Sequence, residues 1–285
     1  MKQRQGLILF LSLCLLLVLS TARCRPEAKE PIATTVNTDW GRNTLWDDGL
    51  AEVAKYQARR VIYGKSRTFE SVFITVKEDF TRKYYVKSDT PRSDSSHLPV
   101  FKLNMVSSIP TENYPYQYLT SVFVSREAPM KLLKLTNGSQ EWCGNTFKLV
   151  RGWETPAQLV FHSYFDGQGD GSVAIELKTG DLLEDQLPLS LRSLPFKTGL
   201  QLKLRILESL ISNRVGPLRV APGEISVVDQ EEVNGLTCWR VTVSREGLTQ
   251  TYWFSWDYPN IMTKWTSSDG REFLLKETVR RKYWD

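Results

Sequence analysis

The sequence predicts a mainly β fold, a curved antiparallel sheet or half-barrel built as a meander, with a few short helices. Three observations lead there. The last third of the chain breaks into five strand-length runs: Glu224–Asp229, Leu236–Val243, Thr249–Trp256, Ile261–Ser267 and Glu272–Val279. Their linkers are short and turn-forming, namely Asn234-Gly235, Arg245-Glu246-Gly247, Tyr258-Pro259-Asn260 and Asp269-Gly270. Connections of that length join antiparallel neighbours, because parallel strands need a long crossover. The side chains also follow a period of two: Tyr252, Phe254 and Trp256 share one face of their run, and Thr251, Trp253 and Ser255 the other. Aromatic residues on both faces imply a strand covered on two sides, or one face lining a pocket.

Taken in order, the chain opens with Lys2 and Arg4, an apolar run from Leu7 to Leu19, and small residues at Ser20-Thr21-Ala22. That is the pattern of a secretory signal peptide over residues 1–22. The run is shorter than the roughly 20 residues of a membrane span. No later stretch approaches that length, so no transmembrane span is expected. Cys24 raises lipidation, since a bacterial lipoprotein begins its mature chain with Cys. Arg23 fits that pattern poorly, because the peptidase expects a small side chain there. The other reading leaves Cys24 free in a flexible leader, placed at residues 23–45.

A single β-rich domain is expected over 46–285, divisible into two sub-sheets at 46–200 and 201–285. From Trp46 to Tyr63 the apolar spacing is loosely helical, yet Val61-Ile62-Tyr63-Gly64 reads equally as strand. Strands are expected at Ser71–Val76, Val100–Val106, Tyr118–Val124 and Met130–Thr136. Asn137-Gly138 is a strong hairpin signal leading into Ser139–Phe147. Gln158–Phe165 and Ser172–Leu177 flank the glycine-rich loop Asp166–Gly171, and a short helix is expected between Asp181 and Leu194, ended by Pro195. Residues 84–98 read as a polar surface loop.

The formal charge of +5 falls to +3 once residues 1–22 are removed, a mild excess spread along the chain. It is not the footprint of a nucleic-acid binder. With only His97 and His162 present, and neither in an H-E-x-x-H pattern, no metal site is expected. The loop beginning at Asp166 would need a bidentate Glu where Leu177 stands, so a calcium reading fails. No Walker loop, nucleophile elbow or dinucleotide fingerprint occurs, and no cofactor is expected. The most economical catalytic alternative pairs Cys143 as nucleophile with His162 as base, oriented by Glu141 or Asp166. Against it stand two buried thiols or a Cys143–Cys238 disulfide. The tryptophans Trp142, Trp239, Trp253, Trp256 and Trp265 lie in or beside expected strands. They read as core, or as the lining of an aromatic concavity for a hydrophobic ligand.

Several strings carry a resemblance. Trp46, Gly49-Leu50-Ala51-Glu52, Tyr63-Gly64, Val76-Lys77-Glu78-Asp79-Phe80, Tyr114-Pro115-Tyr116 and above all Gln140-Glu141-Trp142-Cys143-Gly144 resemble a group of uncharacterised exported proteins of Bacteroidetes-type bacteria. Members often carry an inherited label as septum-formation inhibitor. That enzyme family opens with a Ser-x-Ser-Pro-Arg-Arg phosphate loop, which has no counterpart here. The C-terminal meander, with its Asn-Gly, Tyr-Pro and Asp-Gly turns around a Trp-containing strand, is similar in style to envelope half-barrel domains of the lipoprotein-carrier (LolA/LolB) type. The resemblance implies a protein of the periplasm or outer envelope and transfers no site residue.

Three functions are therefore expected to compete. A non-enzymatic protein binding a lipid-like ligand or an envelope partner would keep apolar surface inside its groove. A thiol hydrolase would bring Cys143 to His162 in a cleft. An assembly factor without a small ligand would have a filled concavity and an apolar patch outside.

Overall fold

A computed structural model describes residues 36–285 apart from 91 and 92, so the signal peptide, Cys24 and the first part of the leader lie outside the described residues. The described chain is mainly β, with one large sheet and two short helices, α1 (Thr38–Arg42) and α2 (Leu187–Ser190). The first strands are β1 (Ala51–Ile62), β2 (Lys65–Thr81), the two-residue β3 (Val86–Lys87), β4 (His97–Ile109) and β5 (Tyr116–Ser125). They are followed by β6 (Leu132–Glu141), β7 (Gly144–Arg151), β8 (Ala157–Ser163) and β9 (Asp170–Ile175). After the short β10 (Leu182–Leu183) and α2 come β11 (Gln201–Leu207), β12 (Val220–Val233), β13 (Leu236–Arg245), β14 (Leu248–Ser255), β15 (Met262–Ser267) and β16 (Glu272–Arg281).

Two meanders make the sheet. One runs from β1 to β9, with β3 as a flap on β2, and the other from β11 to β16. They are fused where β1 pairs antiparallel with β16, Ala51 opposite Arg281 and Arg59 opposite Glu272. The two expected sub-sheets are thus one continuous sheet. Among the described residues only β10 and β11 pair in parallel. No ladder joins β9 to β10, so the sheet curves without closing into a barrel.

Antiparallel order puts alternate connections at the same end. The turns at 63–64, 110–115, 142–143, 164–169, 246–247 and 268–271 share one end, called here the tip end, together with the long connection 208–219. Two of the sheet's tight turns have the local chemistry their geometry requires. Tyr63-Gly64 and Asn234-Gly235 each place both residues at positive φ, the two-residue turn that matches strand twist.

Residues 182–194 enter the concave face from the tip end and fill its deeper part. Leu182, Leu183, Leu187, Leu189, Leu191 and Leu194 are all buried there against Leu135, Val150, Ile225, Val241 and Phe254. Each fully buried leucine contributes about 1.5–3 kcal/mol of transfer free energy. The backbone turns of this segment need polar partners inside the core, and the sheet supplies them. Gln186 Nε2 donates to Met130 O, Ser190 Oγ to Pro129 O, and Arg192 makes a two-pronged pair with Glu52 at 2.8 Å on each arm.

Three expectations change. The leader does not extend to residue 45: α1 occupies 38–42, and Trp40 and Trp46 are buried, 5.3 Å apart, against Phe101. Their rings bury large apolar areas, which ties the segment to the base of the sheet. The ambiguous span before Tyr63 is strand, because alternate residues Ala54, Tyr56 and Ala58 face the core. Asn137-Gly138 is not a turn: it lies inside β6, opposite Thr120 and Leu119, and the hairpin turns instead at Trp142-Cys143. A tight Asn-Gly turn needs positive φ, and neither residue has it. Asn137 is used as a buried amide, accepting from the Thr120 hydroxyl at 2.8 Å and donating to Leu210 O at 2.8 Å.

Candidate functional site

The tip half of the concave face differs from the leucine-filled half. Inward positions of β1, β2, β4, β5, β15 and β16 bring Phe69, Phe73, Met105, Ile109, Trp265 and Phe273 around a small cavity of about 50 Å3. Ile211, from the 208–219 connection, forms part of its wall. Two guanidinium groups also line it, those of Arg60 and Arg271.

The two arginines are differently committed. Arg271 is neutralised: its Nε lies 2.7 Å from Asp269, its Nη2 2.9 Å from the buried Glu184, and the guanidinium rests 5.1 Å from the Trp265 ring centre. Arg60 has no carboxylate within ion-pair distance among the described residues. Its Nη2 donates to Ile211 O at 2.8 Å, and its guanidinium faces the Tyr118 ring at 5.6 Å. Burial lowers its pKa from the ordinary value. An arginine still keeps its proton in such a setting, so the cation stays. Directly opposite Arg60 in the β1–β2 register stands Arg67. Like charges placed opposite each other across strands repel. Arg67 pairs with the half-exposed Glu112 at 2.6 Å, and its Nε is buried with no partner.

The 208–219 connection lies across this end as a strap. Lys148, buried on β7, donates to three of its carbonyls, Leu210, Ser212 and Arg214, at 2.7, 2.9 and 2.8 Å. Desolvation brings the Lys148 pKa down to about 8. Asp185, fully buried, accepts from Ser209 Oγ and from Leu210 N, and burial raises its pKa to about 6. Asn213 donates to Glu141, and Thr146 to Asn213 O. The strap is therefore secured chiefly by polar contacts, with Leu210 buried and Ile211 partly so.

Around the strap stand the most exposed large rings of the described chain. Trp142 is 80% exposed, Tyr63 76% and Tyr164 73%, each on or beside a tip turn. Trp142 stacks on Tyr114 at 5.5 Å, and the hydroxyls of Tyr63 and Tyr116 meet at 2.5 Å.

Of the five tryptophans expected to line one concavity, only Trp265 lines this cavity. Trp142 is on the rim. Trp239 and Trp256 stack on each other at 4.7 Å away from it, with Phe196 stacked on Trp239. Trp253 lies on the opposite face, packed with Val233 and Cys238 beneath Lys264. They were gathered by residue type, and alternation along their strands scatters them.

Cys143 and His162 are not brought together. His162 pairs with Phe147 in the β7–β8 ladder, four residues from Cys143, which is roughly 13 Å along a strand. Cys143 Sγ instead meets Tyr114 Oη at 2.7 Å, and His162 faces Asp170 at 3.3 Å. Cys143 and Cys238 are free thiols rather than a disulfide: one sits at the tip turn, the other is buried beside Thr263 near the 234–235 turn. The turn after β8 gathers no further acidic or imidazole ligands into a cluster of three among the described residues.

Sequence reading missed Arg60, Phe69, Phe73, Ile109, Tyr118 and Phe273. One signal was present: with Trp46–Tyr63 taken as strand, period two places Arg60 on the same inward face as Tyr56 and Ala58. The outward face carries a smaller apolar row, Val106, Leu119 and Phe147, with Gly138 between the last two. Comparison with family models, with curated proteins and with solved structures finds no match to this chain.

Proposed function

We propose that this is an exported envelope protein that binds a hydrophobic, lipid-like ligand without catalysing a reaction. Its ligand would sit at the tip end of the curved sheet. The observation that carries this is the apolar cavity of Phe69, Phe73, Ile109, Trp265 and Phe273 beneath a strap secured mostly by polar bonds. About 50 Å3 has room for roughly two waters at their share of liquid volume. A ligand of any length therefore enters only when the strap lifts and Ile211 withdraws. Exposed Trp142, Tyr63 and Tyr164 at the same end suit an approach to lipid, since such rings sit well where water meets hydrocarbon. Export itself rests on the basic, apolar and small-residue pattern of residues 1–22, and the envelope setting on the half-barrel likeness of the C-terminal meander.

Native mass spectrometry of the mature protein, purified from the cell envelope, tests this function. A lipid-like mass lost on denaturation is expected in the wild type. In Ile211→Trp the added indole is expected to occupy the cavity and reduce the co-purifying mass at least tenfold. A bare chain mass in the wild type counts against a tightly held ligand and turns attention to the outward row of Val106, Leu119 and Phe147 as a partner surface.

A further inference from the structure

Resting on the ligand-binding function proposed above, we propose that Arg60 is a head-group site, so that the ligand is an amphiphile with an anionic carboxylate or phosphate end. The cavity wall beside it is apolar, and an uncharged hydrocarbon would need nothing more. Yet β1 aims a guanidinium inward at this point, where burial works against the charge and where an apolar side chain would pack at no such cost. One of its five N–H groups has an acceptor, the Ile211 carbonyl on the strap. The remaining donors have none among the described residues. That single bond also breaks when the strap lifts, so ligand entry frees the whole guanidinium at the moment a head group arrives.

Arg67 strengthens the case independently. It faces Arg60 across the β1–β2 register, a repulsive placement that an anion between the two would convert into an attractive one. Its Nε is buried without a partner. Glu112 takes up one edge of this guanidinium from a half-exposed position, which leaves the other edge unanswered. Arg271, the other cation on the cavity wall, is already held by Asp269 and Glu184 and is not available. Planar guanidinium groups with free edges recognise carboxylate and phosphate in two-pronged fashion.

The test uses the full mature chain loaded with the neutral dye N-phenyl-1-naphthylamine, displaced in turn by hexadecanoate, hexadecyl phosphate and hexadecanol below their aggregation limits. Both anionic chains are expected to displace the dye at concentrations at least tenfold lower than hexadecanol. Arg60→Gln is expected to abolish that advantage, so that the two anions and hexadecanol displace the dye at similar concentrations, and Arg60→Lys to restore part of it. A stronger effect of one anion names the carboxylate or the phosphate class as the source. Equal displacement by hexadecanol and the anions in the wild type overturns the inference and leaves the hydrophobic-ligand function standing. So does an anionic preference that survives Arg60→Gln. Failure of dye and all three chains to bind overturns the ligand function itself. Should Arg60→Gln not fold, the wild-type head-group series and Arg60→Lys decide.

Discussion

Asp185 sits fully buried where the inward segment meets the strap. Removal from water is the main reason its pKa rises from the ordinary 3.8 to about 6, with the neighbouring Glu184 adding to the rise. Bonds from Ser209 and Leu210 N and the nearby Arg271 act in the opposite direction. A raised acid pKa means that the folded chain holds this proton more tightly than the unfolded one. Its contribution is present below pH 3.8 and is lost as the pH rises through about 6, about 3 kcal/mol in all. Asp185→Asn removes the titration and keeps an acceptor for Leu210 N. Urea unfolding at pH 4 and pH 7 is expected to show the variant gaining about 2 kcal/mol relative to wild type between the two. A constant difference at both pH values would place the proton elsewhere. None of this is visible in the string Leu183-Glu184-Asp185-Gln186, which falls in the expected short helix with no local pattern to mark its acids as buried. The burial comes from strands far away in the chain.

At the scale of elements, β6 and the strap explain each other. Asn137-Gly138 has the composition of a turn, but Asn137 finds Thr120 on β5 and Leu210 on the strap, partners no local pattern can announce. Lys148 on β7 completes the fastening with its three carbonyl contacts. A charge-assisted bond is worth about 1.5–3 kcal/mol, offset here by the cost of burying the ammonium. Lys148→Met removes both at once. Hydrogen exchange over residues 208–219 is expected to accelerate about tenfold or more, with protection in β13 and β14 unchanged and the global unfolding free energy changed by less than about 1 kcal/mol. Uniform acceleration across the sheet would mean that the strap is part of the core and not a separable cover. The C-terminal hairpins are legible for the opposite reason: β12 to β16 pair with strands next to them in sequence except where β16 meets β1, and their turns carry the chemistry of their own geometry.

For the whole molecule, the seam between β1 and β16 makes one body of two meanders. It joins residues 51–59 to residues 272–281 in the middle of the sheet. The inward segment spans the same seam: Arg192 reaches Glu52 on β1, and Glu184 is held by Arg245 and Arg271 from the second meander. Unfolding is therefore expected as a single transition, with tryptophan fluorescence and far-ultraviolet circular dichroism coincident in urea. Two separated transitions would show that each meander is stable alone. The sequence by itself determined the class of fold and the antiparallel order of the last five strands. These follow from local period, short turns and composition. Only the tertiary structure decided that both meanders share one sheet, that the leucine segment fills half its concavity, and that Arg60 meets an apolar cavity beneath a strap. Those features depend on residues brought together from about 140 to 230 positions apart, and a contact of that range leaves no periodicity in the chain to read.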